Sequence, residues 1–224
     1  MNVKLVSYTQ VSPEFIHETT LKTAEDLVTF CARVSNPSNQ YNTETSSKLI
    51  QYLLKHKHFS PFEMVNVCLE IETTRDIARQ ILRHRSFTFQ EFSQRYADPT
   101  RDLSFELREA RLQDPKNRQN SINSTNEVLQ AVWLEKQQAV AELAKEVYEW
   151  GISHGLAKEV ARAVLPEGLT KSRMYVNGTL RSWIHFIEVR SGNGTQKEHM
   201  HIALECARVI SKIFPTVNDF ITRG

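Results

Sequence analysis

The amino-acid sequence predicts an α+β fold in a single domain that spans residues 1–224. Segments with helical periodicity outnumber a few alternating, β-branched segments, and the two kinds do not follow one another in the regular order of βαβ folds. A length of 224 residues, of which 40% are hydrophobic, is enough for one substantial core. No repeat, low-complexity tract or Pro/Gly/Ser-rich linker divides the chain, so we expect one domain.

The first half of the chain contains two predicted strands and three predicted helices. The strands are residues 3–8 and 64–74, and the helices are residues 23–35, about 43–55 and 75–85. Thr23 and Asp26 have the spacing of a capping box before the first helix, and Thr73 with Asp76 has the same spacing before the third. Pro61 predicts a turn rather than a helix interior.

A long helix dominates the second half. Its apolar residues recur at helical spacing from Ser124, with Glu127 as a capping partner, to Gly151, a residue type that often ends helices. About 26 residues at 1.5 Å each give roughly 40 Å, which suggests contacts beyond the monomer's own core. The other predicted elements are a surface excursion or partly helical loop at 98–121, a short helix at 156–166 closed by Pro166, a strand at 172–178 ending in an Asn177-Gly178 turn, and helices at 179–190 and about 196–213.

The charge balance argues against a large polyanionic partner. Lys and Arg number 28 and Asp and Glu number 26, which leaves a net charge of +2. No net field therefore attracts nucleic acid or an acidic membrane, and an anion site must come from local clustering. The first ten residues, "MNVKLVSYTQ", lack the pattern of a signal peptide, and nowhere do 18 apolar residues follow one another. We expect a soluble, cytoplasmic protein.

Cysteine and histidine spacings do not predict a metal site. Cys31, Cys68 and Cys206 are far apart and lie in apolar stretches, so we expect buried, reduced thiols. The histidine pairs in "HKHF" at 56–59 and "HMH" at 199–201 lack the helical spacing and neighbouring carboxylate of common zinc sites. No bound metal is expected.

The segment "ILRHRSFTFQEFSQRY" at residues 81–96 concentrates the charged chemistry of the chain. Arg83, His84 and Arg85 have two interpretations: cations stabilised at a helix C-terminus, or a phosphate site, since guanidinium groups bind phosphate oxygens bidentately. If residues 87–95 are extended, then Glu91, Ser93 and Arg95 share one face within about 13 Å. An acceptor, a hydroxyl and a guanidinium so arranged favour a nucleotide ligand.

This segment resembles the signature of flavin-dependent thymidylate synthases. That signature is "RHR", seven residues and then a serine, and here Ser93 stands at that distance with Glu91, Arg95 and Tyr96 in the family's pattern. The likeness extends over most of the chain. Further similar segments, in the same order, are "CARVS" at 31–35, "HFSPFE" at 58–63, Gln80, "ARAVLP" at 161–166 and "LRSWIHFIEVR" at 180–190.

The resemblance implies a fold, an activity and an assembly. The fold would be a small, mainly antiparallel sheet flanked by long helices, in a homotetramer whose sites combine several subunits. The activity would be FAD-dependent conversion of dUMP to dTMP, with methylenetetrahydrofolate as the one-carbon donor and NADPH as the reductant. Reduced flavin would pass hydride to uracil carbon six, so that the cofactor carries the difficult step and no cysteine nucleophile is needed. No nucleic acid or membrane partner is implied.

The resemblance also implies roles for individual residues. FAD would be bound by Ser35, Ser60, Glu63, Arg83, His84, Arg85, Gln90, Glu91, Arg181 and His185. The dUMP would be bound by Gln80, Glu91, Ser93, Gln94, Arg95, Arg162 and Arg190, and His58 would stack on the folate. Arg190 would be catalytic, because its permanent positive charge suits stabilisation of the ionised uracil ring. Ser93 has no evident base beside it, so we expect it to hydrogen-bond to the substrate rather than act as a nucleophile.

The sequence departs from the family's pattern at several positions. They are Phe87 and Phe89, where small residues are usual, Gln90 and His185, where Asn is common, Gln94, where a small residue is common, and Gly194, where many members have His. His185 also has a second interpretation, as a surface histidine paired with Glu188 in its own helix.

Two alternative functions stay open from the sequence. A module that binds single-stranded nucleic acid could use the basic cluster with Phe87, Phe89 and Phe92 as a stacking platform. A homologue that binds flavin or nucleotide without turnover would account for Gln90, Gln94 and Gly194.

Overall fold

A computed structural model describes residues 1–218 and has the predicted mixture of helices and a small antiparallel sheet. The strands are β1 (Asn2–Tyr8), β2 (Asn66–Thr74), β3 (Thr88–Glu91), β4 (Arg111–Gln113), β5 (Ser121–Asn123) and β6 (Lys171–Thr179). The helices are α1 (Pro13–Glu18), α2 (Ala24–Ala32), α3 (Ser46–Lys55), α4 (Arg75–Ile81), α5 (Pro99–Asp102), α6 (Glu127–Ser153), α7 (Lys158–Ala161), α8 (Leu180–Arg190) and α9 (Lys197–Ile210). Short 3₁₀ turns include Ser60–Met64 and Arg162–Val164.

The main sheet has the strand order β1-β2-β6-β3, with all neighbours antiparallel. Its central strand β2 alternates, so that Val67, Leu69 and Ile71 are fully buried. Leu69 of β2 pairs with Val176 of β6, and Val176 also pairs with Phe89 of β3 on its other side. One face of the sheet therefore builds the core.

Helices α8 and α9 cover that face together with the 3₁₀ turn at Ser60–Met64. Trp183 of α8 is fully buried and donates its indole N–H to the carbonyl oxygen of Val67 at 2.9 Å. The carbonyl oxygen of Val67 thus provides a hydrogen-bond acceptor for the indole N–H, which is the one polar group of the Trp183 side chain. This bond fixes α8 over the sheet. The side chains on the opposite side of α8 face away from the core.

The start of α2 confirms one capping prediction, and the start of α4 contradicts the other. The Thr23 side chain accepts from the Asp26 backbone, and the Asp26 carboxylate accepts from the Thr23 backbone, which completes a capping box. The N-cap of α4 is Thr74 instead of Thr73, and it makes no side-chain capping bond. The Thr73 side chain belongs to the buried face of β2, where its hydroxyl has no partner within residues 1–218.

The extended segment predicted for 87–95 is too long, and α4 is shorter than predicted. Helix α4 ends at Ile81, and strand β3 ends at Glu91. Ser93 then starts a turn, because its carbonyl accepts from the backbone N–H groups of residues 96 and 97. Glu91, Ser93 and Arg95 therefore do not share a strand face.

The turn predicted at Asn177-Gly178 is also wrong, since both residues lie inside β6. Gly178 is used for close packing: a Cβ there would lie 2.3 Å from the Phe87 ring. That ring packs in turn on Trp183, with ring centroids 4.5 Å apart. The glycine thus makes room for the first aromatic residue after the basic cluster.

Helix α6 has 27 residues, close to the predicted length, but both predicted ends are shifted. Its N-cap is Asn126, whose side chain accepts from the Leu129 backbone, and Gly151 lies inside the helix. The backbone leaves the helical conformation at Gly155, whose φ of 81° favours glycine. The segment 98–121 holds the short helix α5 and strand β4, which pairs with β5 in a hairpin that the sequence did not predict.

The three cysteines are free thiols, as expected, but only Cys206 is buried. Cys31 and Cys68 are half-buried, which contradicts the prediction of full burial. Among residues 1–218, no helix is both long and apolar enough to cross a membrane. The same residues contain no cluster of three or more His, Cys, Asp or Glu side chains suited to a metal.

Candidate active site

A cavity of about 500 Å³ lies between the 3₁₀ turn at Ser60–Met64 and the outward face of α8. Three predicted flavin contacts line it, namely Glu63, Arg181 and His185, together with Phe59 and Ser86. Arg181 and His185 share a face because they are four residues apart on α8. The Thr179 side chain caps this helix by accepting from the Ser182 backbone, which sets the position of the first turn.

Arg181 joins both walls of the cavity. Its guanidinium forms an ion pair with Glu63 and lies 5.9 Å from the centre of the Phe59 ring. An arginine above an aromatic face gains a cation–π attraction. The arrangement offers an aromatic surface and a fixed positive charge side by side.

A second cluster lies where α8 ends beside the turn that follows α4. The Nε of Arg190 donates to Nε2 of His84 at 2.9 Å. Burial, followed by the charges of Arg190, His185 and Arg83, lowers the pKa of His84 to about 4. His84 is therefore neutral at neutral pH, and its proton is on Nδ1 because Nε2 accepts.

The cations of this cluster lack counter-ions. Within residues 1–218, no ion pair joins Arg83, Arg85 or Arg190 to a carboxylate. Burial and the nearby charge of Arg83 both lower the pKa of Arg190, as expected for a desolvated cation beside another cation. Uncompensated positive charge of this kind favours an anionic ligand.

Residues predicted to bind the nucleotide form a third group around the end of β3. Glu91 accepts from the Ser172 hydroxyl at 2.8 Å and lies 3.7 Å from Arg75. Burial lowers the pKa of Arg75, with Arg79 and Arg162 adding repulsion and Glu91 opposing it. The structure therefore brings Glu91 and Arg162 into one charged neighbourhood.

The neighbouring residues 93–95 differ from one another in exposure. Arg95 is exposed and pairs with Glu159 at 3.3 Å. Gln94 is buried, and its side-chain nitrogen has no partner within the described residues. Within the described part of the chain, the Ser93 hydroxyl makes a single hydrogen bond, a long 3.4 Å contact in which it accepts from the Arg95 backbone. Its proton is therefore available to a ligand.

The remaining predicted residues lie outside these groups. Ser35 lines a different recess of about 530 Å³, and His58 packs against Tyr52, with ring centroids 6.2 Å apart, at the rim of that recess. Ser60 is exposed at the start of its 3₁₀ turn, and Gln90 is exposed on the edge strand β3. One chain therefore does not gather all predicted site residues into one cavity.

Comparison with known proteins identifies the family. The profile described as "Thymidylate synthase complementing protein" matches residues 6–216. Over 217 residues the chain is 45% identical to the probable flavin-dependent thymidylate synthase of Paramecium bursaria Chlorella virus 1 and 46% identical to the flavin-dependent thymidylate synthase of Synechocystis sp.. Each match covers 97% of this chain and 97% of the relative. The chain belongs to the flavin-dependent thymidylate synthase family.

This member of the flavin-dependent thymidylate synthase family shares its fold with a solved structure. It is the crystal structure of a UMP/dUMP methylase PolB from Streptomyces cacaoi bound with 5-Br dUMP. The superposition has a TM-score of 0.77 at 25% identity and covers 99% of this chain and 94% of the other. The resemblance inferred from the signature segment is thus confirmed.

Several side chains beside the predicted flavin-dependent thymidylate synthase site escaped sequence analysis. Phe59 directly precedes the predicted contact Ser60, and Arg75 opens α4 five residues before Gln80. His199 was considered only as a metal ligand, yet it is fully buried and its Nδ1 lies 3.1 Å from Oε1 of Gln80. Only spatial proximity reveals these three, because nothing in their local pattern differs from ordinary helix or turn residues.

Proposed function

We propose that this chain converts dUMP to dTMP in the cytoplasm, using bound FAD, methylenetetrahydrofolate as the one-carbon donor and NADPH as the reductant. We propose further that residues 1–224 act as one domain within a homotetramer. The names of the relatives at 45% and 46% identity support the reaction, and the UMP/dUMP methylase supports a pyrimidine nucleotide as substrate. The observation that carries the proposal is the set of cations around neutral His84 that have no carboxylate partner among residues 1–218, next to the cavity that His185 lines.

The cavity and the basic cluster together fit a flavin nucleotide. A volume of about 500 Å³ lies within the common range of roughly 300–1,000 Å³ for small-molecule sites. Phe59 offers an aromatic face, and Arg83 and Arg85 offer guanidinium groups of the type that bind diphosphate oxygens. The proposed FAD contacts are Ser35, Ser60, Glu63, Arg83, His84, Arg85, Gln90, Glu91, Arg181 and His185. When bound, FAD supplies the hydride for uracil carbon six.

The nucleotide and folate contacts follow from the remaining groups. The proposed dUMP contacts are Gln80, Glu91, Ser93, Gln94, Arg95, Arg162 and Arg190, and His58 is proposed to stack on the folate. Arg162 and Arg95 supply positive charge for the phosphate, and the Ser93 hydroxyl is free to donate. Arg190 is the proposed catalytic residue, because a cation that never loses its proton stabilises negative charge developing on the uracil ring.

The surface of α6 supports assembly with further copies. Its inner side buries Gln137, Ala141, Ala144, Tyr148 and Gly151 against the same chain. We call the adjacent exposed apolar side the outer stripe; it comprises Leu129, Val132, Trp133, Val140, Leu143, Val147 and Trp150. An exposed apolar stripe of this length is typical of a protein–protein interface. Sites shared between subunits would also account for the separation of Ser35 and His58 from the cavity in one chain.

Packing of the phenylalanines argues against the single-stranded nucleic acid module. Phe87 is buried against Trp183, and Phe89 and Phe92 are half-buried. Stacking of successive bases needs aromatic faces that are open to solvent. The segment therefore offers no such platform.

The decisive experiment measures release of tritium from dUMP labelled at carbon five. We expect release that requires FAD, NADPH and methylenetetrahydrofolate together, in a protein that carries a flavin spectrum. Substituting labelled UMP tests the sugar preference, and we expect dUMP to be the better substrate. A yellow protein that binds dUMP without releasing tritium would instead establish the homologue that binds without turnover.

A further inference from the structure

A chain of hydrogen bonds leads from the hairpin strand β4 to Gln80 on α4. Arg111 donates to Oε1 of Glu198 at 2.5 Å, and Gln196 donates to Oε2 of the same carboxylate at 3.0 Å. Gln80 donates to Oε1 of Gln196 at 2.7 Å, and its own Oε1 lies 3.1 Å from Nδ1 of His199. We call these five residues the amide relay. Arg111 and Glu198 are both largely buried, so the relay begins at an ion pair shielded from solvent.

The ion pair fixes the direction of every bond in the relay. The two oxygens of the Glu198 carboxylate both accept, one from Arg111 and the other from Gln196, so Gln196 presents its NH₂ group to this carboxylate. The oxygen of Gln196 then faces Gln80, which must present its own NH₂ group. The oxygen of Gln80 consequently faces His199, and His199 must carry its proton on Nδ1. Reversing either carboxamide would set two acceptors or two donors against each other.

A neutral His199 is compatible with this direction at the far end of the relay. Burial, followed by the charges of Arg190 and His84, lowers the pKa of His199 to about 3, so the ring stays neutral. A neutral ring has one donor and one acceptor, and the direction of the relay assigns the donor to Nδ1. Its Nε2 is buried and has no partner within residues 1–218. His199 therefore donates from Nδ1 to the oxygen of Gln80, and this bond can reverse its direction only if the His199 tautomer changes.

We propose that Glu198, Gln196 and His199 are positioning residues that lock the carboxamide of Gln80 in one orientation, and that this orientation makes the site select a uracil edge over a cytosine edge. The inference rests on the proposed function, in which the nucleotide lies against Gln80. Gln80 is half-buried and keeps one N–H and one lone pair outside the relay.

The selectivity follows from the chemistry of the two bases. Uracil presents a carbonyl acceptor at carbon four beside an N–H donor at position three, and cytosine presents an amino donor beside an acceptor. A carboxamide that is free to turn over pairs with either edge. A locked carboxamide leaves buried donors or acceptors unpaired against the wrong base, which is a strong source of discrimination.

The test compares binding of dUMP and dCMP to the FAD-loaded protein by calorimetry. Gln196→Met keeps the length of the side chain and removes the relay bond between Glu198 and Gln80, and Glu198→Gln replaces the fixed acceptor with a reversible amide. We expect the preference for dUMP over dCMP to fall about tenfold in both variants, because the hydrogen bonds that distinguish the two bases would no longer be held in one direction. Glu205→Gln, which removes a surface ion pair with Arg208 on the same helix, is the matched control and should keep the preference. An unchanged preference in both relay variants, with dUMP still bound, overturns the proposal.

A second readout needs no nucleotide and is made on the wild-type protein. In protein labelled with ¹⁵N-histidine, long-range ¹H–¹⁵N spectra should show His199 protonated at Nδ1 alone, with the signal assigned by its loss in His199→Asn. A proton on Nε2 in the wild-type protein overturns the relay whatever the variants do. If the tautomer is as expected but wild-type protein fails to bind dUMP, then the proposed function is wrong and the relay itself stands.

Discussion

Nε of Arg190 donates to Nε2 of His84 at 2.9 Å, which connects the last turn of α8 to the turn after α4 across 106 residues of sequence. The contact requires a neutral histidine, because a protonated ring has no acceptor. Burial and the surrounding cations keep His84 neutral by lowering its pKa to about 4. The proposed catalytic arginine is thus held by a side chain whose protonation would repel it.

Acidification should therefore destabilise the fold. The pKa values of about 4 for His84 and about 3 for His199 lie below the usual 6.5, so the unfolded chain binds more protons below about pH 6.5. The free energy of unfolding should fall as the pH drops through this window, by up to about 1.4 kcal/mol per pH unit for each histidine. Urea unfolding between about pH 7 and pH 5 measures the slope. His84→Gln should flatten it, and replacement of the exposed His201 by Gln should not; equal slopes in all three proteins would refute the assignment.

Removing Arg190 and removing His84 should have different effects on function. Arg190→Ala should nearly abolish tritium release while the flavin spectrum and the assembly persist, since the proposed role of Arg190 is charge stabilisation on the uracil ring. His84→Ala should release FAD, which ultrafiltration followed by absorbance of the filtrate detects. Arg208→Ala, at an exposed arginine of α9, serves as the control. Loss of flavin from Arg190→Ala would place Arg190 in the cofactor site instead.

Gly178→Ala should destabilise the protein because the new methyl group would lie 2.3 Å from Cδ1 of Phe87. Phe87 cannot yield easily, since it packs on Trp183. We expect a loss of about 1–3 kcal/mol in the free energy of unfolding, as is typical for overpacking a core. Gly168→Ala is the matched control, because no atom lies within 4 Å of its added Cβ. Equal urea midpoints for the two variants would contradict the close packing.

Leu143→Glu should weaken the proposed assembly. Leu143 is 60% exposed in the single chain and lies in the middle of the outer stripe of α6, so an interface there would bury the new charge without a partner. Light scattering should give about four chain masses for the wild-type protein and a smaller mass for the variant. Ala131→Glu adds the same charge to α6 about 120° away around the helix and should leave the mass unchanged. A variant that keeps the wild-type mass would move the interface elsewhere.

Local patterns predicted the elements that depend on local forces. Periodicity and short-range spacing predict the long helix α6, the capping box of Thr23 and Asp26, and a helix at the position of α8. Predictions failed where packing decides between local options. Asn177-Gly178 is a common turn dipeptide, yet it continues β6 because Phe87 needs the space beside Gly178.

The sequence by itself determined which chemical groups the site contains: guanidinium groups, a carboxylate, hydroxyls and amides at the spacing of the signature segment. Only the tertiary structure decided which of them are neutral, paired or uncompensated. Protonation depends on burial and on charges within a few ångströms, and the groups that act on His84, such as Arg190 and His185, come from a helix about a hundred residues away in sequence. The direction of the amide relay was decided in the same way, because the ion pair that sets it joins β4 to α9.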